Sequence, residues 1–242
     1  MTEADIIRWL IELRRNVYAP ESLFAVTAVF RVKAGGSDDY YFAGVNVENA
    51  DHRLSTHAEE GCIAAMVTGL GKEAEIVEGW VMGAPAQLQP GASDALANNH
   101  VTCCGKCRQQ IAGFAAPEVK IHSVTLNGKT STTTVGAALP DPFTFRQFLQ
   151  TGTEENRKAA HSAPVPESVK GKLLRQDALS NDDIKVWLQS LESVDTASTV
   201  SQAVVLKLHN DAYVAGARVE DAAFLSISAV QNAAVVATSA FG

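Results

Sequence analysis

This sequence has no stretch suited to a membrane-spanning helix. No apolar run approaches the ~18 residues that a bilayer-spanning helix needs. The opening residues, Met1-Thr-Glu-Ala-Asp, are acidic and then amphipathic, which does not suit a signal or transit peptide. Basic residues are in deficit: 20 Lys and Arg stand against 27 Asp and Glu, a net charge of −7. Phosphate neutralisation needs a basic surface, so a general nucleic-acid binder is disfavoured, and a small, weakly charged substrate is favoured over a polyanion. Cysteine is scarce, four in the chain, and three of the four fall within 103–107. That clustering suits a metal site in a reducing, cytoplasmic compartment better than a disulfide framework. What is plentiful is ordinary core material. A hydrophobic content of 46% with 19% charged residues, over 242 positions, fits one large or two small globular domains.

Two short pieces carry the chemistry. One is His57-Ala58-Glu59; the other is Cys104-Gly-Lys-Cys107. One imidazole and two thiolates are a common ligand set for zinc, and three protein ligands leave a fourth tetrahedral position for water. Glu59, two residues beyond His57, can sit beside the metal without binding it and move protons to and from water. Taken alone, His-x-Glu is a weak signal. Cys-x-x-Cys alone is compatible with structural zinc or a redox pair. Together, with each motif opening a helix, they place the ligands where two positive helix ends meet and stabilise thiolate. His-x-Glu followed by Pro-Cys-x-x-Cys is the signature of zinc deaminases. Here Cys103 stands at the proline position, and it is read as a small side chain turned away from the metal. Cys62 is read as core, and His52, His100, His122, His161 and His209 as surface or structural residues.

Along the chain, residues 2–17 read as a helix, with Thr2 and Asp5 at its cap and Ile6, Trp9, Leu10 and Leu13 on one face. Phe24 to Val32 and Tyr40 to Val47 read as a strand pair around Gly35-Gly36, and 57–70 as a helix. A short strand at Val77 to Met82 and a long polar loop from Ala84 to His100 follow. A helix is expected from Lys106, then a strand near Val119 to Val124. Residues 151–175, polar and proline-bearing, read as a linker.

Beyond the linker the chain starts again. Asp5, Ile6, Trp9, Leu10 and Leu13 recur as Asp183, Ile184, Trp187, Leu188 and Leu191, 178 positions later. Ala43-Gly-Val-Asn-Val-Glu-Asn-Ala50 recurs 172 positions later as Ala215-Gly-Ala-Arg-Val-Glu-Asp-Ala222. Two matches in the same order point to a duplication with a shorter second copy. Carried on at that spacing, His57 meets Ala229 and Glu59 meets Gln231, and no Cys pair follows before Gly242. One Zn2+ per chain is therefore expected. The second copy should serve as scaffold, packing on the first domain, on another subunit, or on both.

Four ordered segments resemble the cytidine deaminases of nucleoside salvage: Tyr18-Ala-Pro-Glu-Ser-Leu-Phe24, Gly44-Val-Asn-Val-Glu-Asn-Ala50, the His57 motif and Thr102-Cys-Cys-Gly-Lys-Cys-Arg-Gln109. His at 57 and a degenerate second domain resemble the family's larger, two-domain dimeric branch. The resemblance implies an α/β fold, a three-layer α/β/α domain with a mixed sheet over 1–150. After the 151–175 linker it implies a truncated, degenerate copy over 176–242. It implies hydrolytic deamination of cytidine or deoxycytidine by zinc-activated hydroxide, with His57, Cys104 and Cys107 as metal ligands and Glu59 as proton shuttle. Asn46 and Glu48 would bind the ribose hydroxyl, Phe24 would pack on the pyrimidine, and the backbone of Ala58 and Thr102 would contact the base. The expected partners are a nucleoside and a second copy of the chain, with no membrane and no nucleic acid. The rival readings are a deaminase of another or modified aminonucleoside, and a zinc-binding regulatory protein without turnover.

Overall fold

The computed structural model describes residues 1–36, 38–71, 73–143, 165–175, 177–192, 202–217 and 227–241. Helix α1 (Glu3–Leu13) starts on a capping box. The Asp5 amide donates to the Thr2 hydroxyl oxygen, and the Thr2 amide donates to the Asp5 carboxylate. Ile6, Leu10 and Leu13 are its buried face. One tighter turn, Arg14–Asn16, completes the helical stretch expected over 2–17.

Five strands form one mixed sheet: β1 (Phe24–Ala34), β2 (Tyr40–Val45), β3 (Ala74–Pro85), β4 (Ala115–Val124) and β5 (Thr130–Thr134), in the order β2-β1-β3-β4-β5. All neighbours are antiparallel except β3 and β4. A parallel pair cannot be joined by a tight turn. Its crossover contains the loop after β3 and helix α3 (Gly105–Ala112), which brings the Cys pair over the sheet. Helix α2 (Ala58–Leu70) occupies the connection from β2 to β3. Strands β3 and β4 both extend beyond the spans expected from sequence. Pairing with the long strand β1 recruits the weakly apolar ends of β3 into the ladder, Ala74 opposite Ala34 and Glu75 opposite Lys33.

Alternation along β1 divides the core. Phe30 joins Ile76, Val81 and Ile121 under α2 and α3. Val29 joins Trp80, Met82 and Val124 under α1. The result is the expected α/β/α sandwich, each fully buried large side chain contributing roughly 1.5–3 kcal/mol. A short helix, α4 (Val135–Ala138), follows β5.

Of the expected linker, 151–164 lie outside the described residues. The rest corrects that reading: Glu167–Leu174 is a helix, α5. Val169 and Leu173, one turn apart, pack with Leu179, Trp187 and Leu191 of a small third core. That apolar spacing outweighs the polar composition.

The elements that follow repeat the opening of the chain: helix α6 (Asn181–Glu192), strands β6 (Ala203–Lys207) and β7 (Tyr213–Ala217), and helix α7 (Ala229–Phe241). Ser180 and Asp183 rebuild the Thr2–Asp5 cap. Gly44 lies opposite Ala28 in the first hairpin, and Gly216 opposite Val204 in the second. A Cβ on Gly44 would stand 2.1 Å from the Ala58 carbonyl oxygen, and one on Gly216 would stand 2.2 Å from that of Ala229. The strand-to-helix approach is thus the same in both places, but it pairs Ala58 with Ala229. The spacing read from sequence is one residue out. His57 corresponds to Ser228 and Glu59 to Val230, because one residue fewer separates Gly216 from its helix. An ungapped comparison cannot detect that deletion. Neither Ser228 nor Val230 is a metal ligand or an acid–base group, so the C-terminal elements still lack the chemistry.

These elements pack on the first domain. Val235 lies against Gly61 of α2, where a Cβ would stand 2.6 Å from its methyl. The buried Asn232 amide donates to the Ala217 carbonyl at 2.8 Å and to the Thr68 hydroxyl at 2.9 Å. Ala217 and Ile227 join the core under α2.

Candidate active site

His57 is the N-cap of α2, and Cys104 is the N-cap of α3 with Cys107 in its first turn. Each helix start leaves its first amides without intrahelical partners, which gives the cradle a positive potential. His57 Nδ1 lies 3.3 Å from Cys104 Sγ and 3.2 Å from Cys107 Sγ, and the two sulfurs are 3.6 Å apart. Ligands held at ~2.0–2.3 Å from a tetrahedral zinc would be roughly 3.5–3.8 Å from one another. The sulfur pair falls in that range, the imidazole nitrogen stands a few tenths of an ångström closer to both sulfurs, and the donor set suits that ion. Among the described residues, no other three His, Cys, Asp or Glu side chains converge in this way. Cys103 stands outside the triad, as expected, and Cys62 is core with no exposure.

The two ligand sulfurs share their protons unequally. The Cys107 hydrogen bond, against the cost of burial, pulls the Cys104 thiol down to about 5. The same bond, with burial, pushes Cys107 well up. Glu59, in the first turn of α2, is 3% exposed, and burial raises its carboxyl above the usual carboxylate range. The buried Cys103 thiol is hydrogen-bonded to it. The sulfur at the position of the expected proline thus meets the Glu59 carboxyl and stands outside the His57, Cys104 and Cys107 group.

Asn46 braces the start of β1, and Glu48 braces the segment just before it. Asn46 Oδ1 accepts the Val26 amide at 2.8 Å, and its Nδ2 donates to the Phe24 carbonyl at 2.9 Å. Glu48 Oε2 accepts the amides of Glu21 and Ser22 at 2.8 and 3.2 Å. Partial burial opposes ionisation of Glu48, but the bonds from Ser22 and Glu21 win and hold its carboxyl below the ordinary range. The Phe24 ring rests over Gly83, whose missing side chain makes the room: a Cβ there would stand 3.0 Å from it. Ala58 is fully buried behind the triad. Thr102 is exposed, and Arg108 holds its loop, donating to the Cys103 carbonyl at 2.7 Å and to the Thr102 hydroxyl at 3.3 Å.

The other histidines are structural or exposed, as expected. His100 Nδ1 meets the Ser123 carbonyl at 3.0 Å, and His122 bridges Thr132 and Glu78 at 2.8 and 3.0 Å. His52 faces Glu21 at the surface, and His209 is exposed. His161 lies outside the described residues.

Sequence reading missed Glu60. It is 2% exposed and accepts the His57 amide at 2.8 Å. Its signal was available, since a carboxylate at the third position of a helix is half of a capping box.

Three side chains that could hold a metal ion, with a buried carboxyl at their edge on an α/β/α frame, fit the layout of a metal-assisted hydrolase. The sequence model of the cytidine and deoxycytidylate deaminase zinc-binding region matches residues 2–123, and the chain belongs to that family. Among solved structures, it is similar to a cytidine deaminase from Burkholderia pseudomallei, with 26% identity, a TM-score of 0.46, and coverage of 59% of this chain and 100% of that one. The cytidine deaminase from Mycobacterium leprae is 29% identical, with a TM-score of 0.43 over 58% of this chain and 100% of that one. The enzyme from Mycobacterium tuberculosis is 22% identical, with a TM-score of 0.43 over 59% and 98%. Among the described residues, no helix is long and apolar enough to cross a membrane.

Proposed function

We propose that the chain deaminates cytidine and deoxycytidine to uridine and deoxyuridine, one zinc ion serving each chain. The observation that carries this reading is the buried Glu59 carboxyl beside the His57–Cys104–Cys107 triad. Zinc, when bound by these three side chains, supplies the Lewis acidity that makes water a nucleophile near neutral pH. The chain's own groups do the rest. Glu59, with its affinity for protons raised by burial, takes the water's proton and delivers it to the ring N3. The water oxygen adds to the ring carbon that bears the amino group, and its remaining proton, passed through the same carboxyl to that amino group, lets the C–N bond break and ammonia leave. Water and cytidine thus become uridine and ammonia, with Glu59 returned to its starting state.

Asn46, Glu48 and Phe24 lie together at the start of β1. They supply a hydrogen-bonding edge for the ribose and a flat apolar surface for the pyrimidine. Ala58 and Thr102 would offer their backbone to the base. Cys103, hydrogen-bonded to Glu59, is the specific feature that favours a second reading, a modified aminonucleoside as substrate. We propose further that residues 176–242 are a truncated duplicate serving as scaffold, and that the working form is a cytoplasmic homodimer. The test is the fall in ultraviolet absorbance when zinc-quantified protein is given cytidine. Turnover with about one zinc per chain supports the reading. A bound zinc with no turnover of cytidine or deoxycytidine would reject it in favour of the second.

A further inference from the structure

One buried carboxylate touches both ligand-bearing segments. Glu60 Oε2 accepts the His57 amide at 2.8 Å. Its Oε1 holds the Lys106 ammonium at 2.8 Å and accepts the Gln110 side-chain amide at 3.3 Å. Lys106 stands between the two ligand cysteines, and Gln110 lies one turn further along the same helix.

Capping α2 does not explain why this residue is charged. The second copy provides the comparison. Gln231 holds the corresponding place in α7, and its Oε1 accepts the Ser228 amide at 3.2 Å. A neutral amide is enough for the cap where there are no ligand segments to join. At position 60 a carboxyl group stands where the second copy has an amide, almost wholly out of water, and a buried acidic side chain calls for a cation in contact. Lys106 is that cation. It also offsets a third negative charge next to two thiolates.

We propose that Glu60 and Lys106 form a positioning ion pair that holds the His57 and Cys104–Cys107 segments in register for the metal. Glu60 acts through the His57 backbone and Lys106 through the turn that carries both cysteines. The proposal rests on reading the triad as a zinc site. The pair is asymmetric. The Lys106 side chain is 35% exposed and can swing into water when Glu60 is neutralised, whereas the Glu60 side chain, 3% exposed, has nowhere to go when Lys106 is removed.

The test is zinc transfer from the loaded protein to a chromogenic chelator. Loss of a partner that orients a metal ligand weakens metal binding ~10–100-fold. Glu60→Gln should release zinc about tenfold faster than the wild type, and Lys106→Met about a hundredfold faster. The double variant should release it at the Glu60→Gln rate, because removing the stranded carboxylate charge rescues the lysine loss. The metal-free melting temperature of Glu60→Gln should match the wild type, since glutamine keeps the cap. If Lys106→Met does not fold, Glu60→Gln and the double variant still decide the matter. Equal rates support the pair, and a further loss in the double variant overturns it. Wild-type release by Lys106→Met, or multiplied effects in the double variant, would also overturn it. Wild-type protein that holds no zinc would reject the triad reading itself, and the ion pair with it.

Discussion

At the scale of single residues, Glu59 and Glu60 are neighbours with opposite assignments. Both are buried in the first turn of α2. Glu59 lies beside the triad and the Cys103 thiol, while Glu60 turns back to the helix start and to Lys106. Glu59→Ala should keep its zinc and lose at least ~1,000-fold in kcat, since a positioned acid–base group contributes roughly 10²–10⁴-fold. Metal analysis beside steady-state kinetics checks both halves, and near wild-type turnover in that variant would remove Glu59 from the mechanism. His57, Glu59, Cys104 and Cys107 were legible in the sequence because ligand chemistry restricts residue type and spacing. Glu60 was not, because its importance depends on Lys106, 46 positions away, being brought against it.

At the scale of elements, the site depends on how closely α2 approaches β2. Gly44 leaves no room for a side chain against the Ala58 carbonyl, at the turn where His57 caps the helix. Gly44→Ala should therefore displace the start of α2, cost about 3 kcal/mol of stability as overpacked cores do, and weaken zinc binding. Denaturant unfolding and chelator competition read the two effects, and a variant that binds zinc normally would show that the approach is not what places His57. The α6 cap gives a pH prediction. The Lys172 ammonium, with Ser180, holds the Asp183 carboxyl down at about 2, below its unfolded value near ~4. A depressed carboxylate stabilises the fold above its unfolded value and loses that effect as pH falls through the folded one. Amide exchange in α6 should therefore accelerate as pH falls from ~4 towards 2 relative to Asp183→Asn, after correction for intrinsic exchange. An unchanged difference between the two would remove the cap from the acid response. Strand β3 and helix α5 show where sequence reading falls short at this scale. Pairing with the long strand β1 lengthens the first, and burial of Val169 against a later helix makes the second from a stretch that looks like linker.

At the scale of the whole molecule, α2 is covered on both sides, by the sheet and by β7 and α7 of the second copy. That is why it is apolar nearly all round instead of amphipathic. Asn232 joins the two parts through bonds to Thr68 and Ala217. Asn232→Ala strands a buried carbonyl and should cost about 2 kcal/mol, with zinc stoichiometry unchanged because the joint lies behind the ligands. Chemical denaturation with metal analysis checks this, and unaltered stability would show that the second copy does not brace α2.

The sequence by itself determined the His57, Cys104 and Cys107 group proposed to hold zinc, the Glu59 carboxyl proposed as its proton shuttle, the strand-and-helix order from α1 to β4, and the recurring segments read as a repeat. Each of these rests on residue types at short, fixed spacings along the chain. Tertiary structure alone decided that the repeat runs one residue shorter into α7, since a deletion in a connection leaves its trace only in which carbonyl faces which glycine. It also decided that Asn46 braces the start of β1 and Glu48 the backbone before it, that Cys103 meets Glu59, and that Glu60 joins two distant segments. Those are relations between side chains far apart in sequence, and they come into being only when the chain is packed.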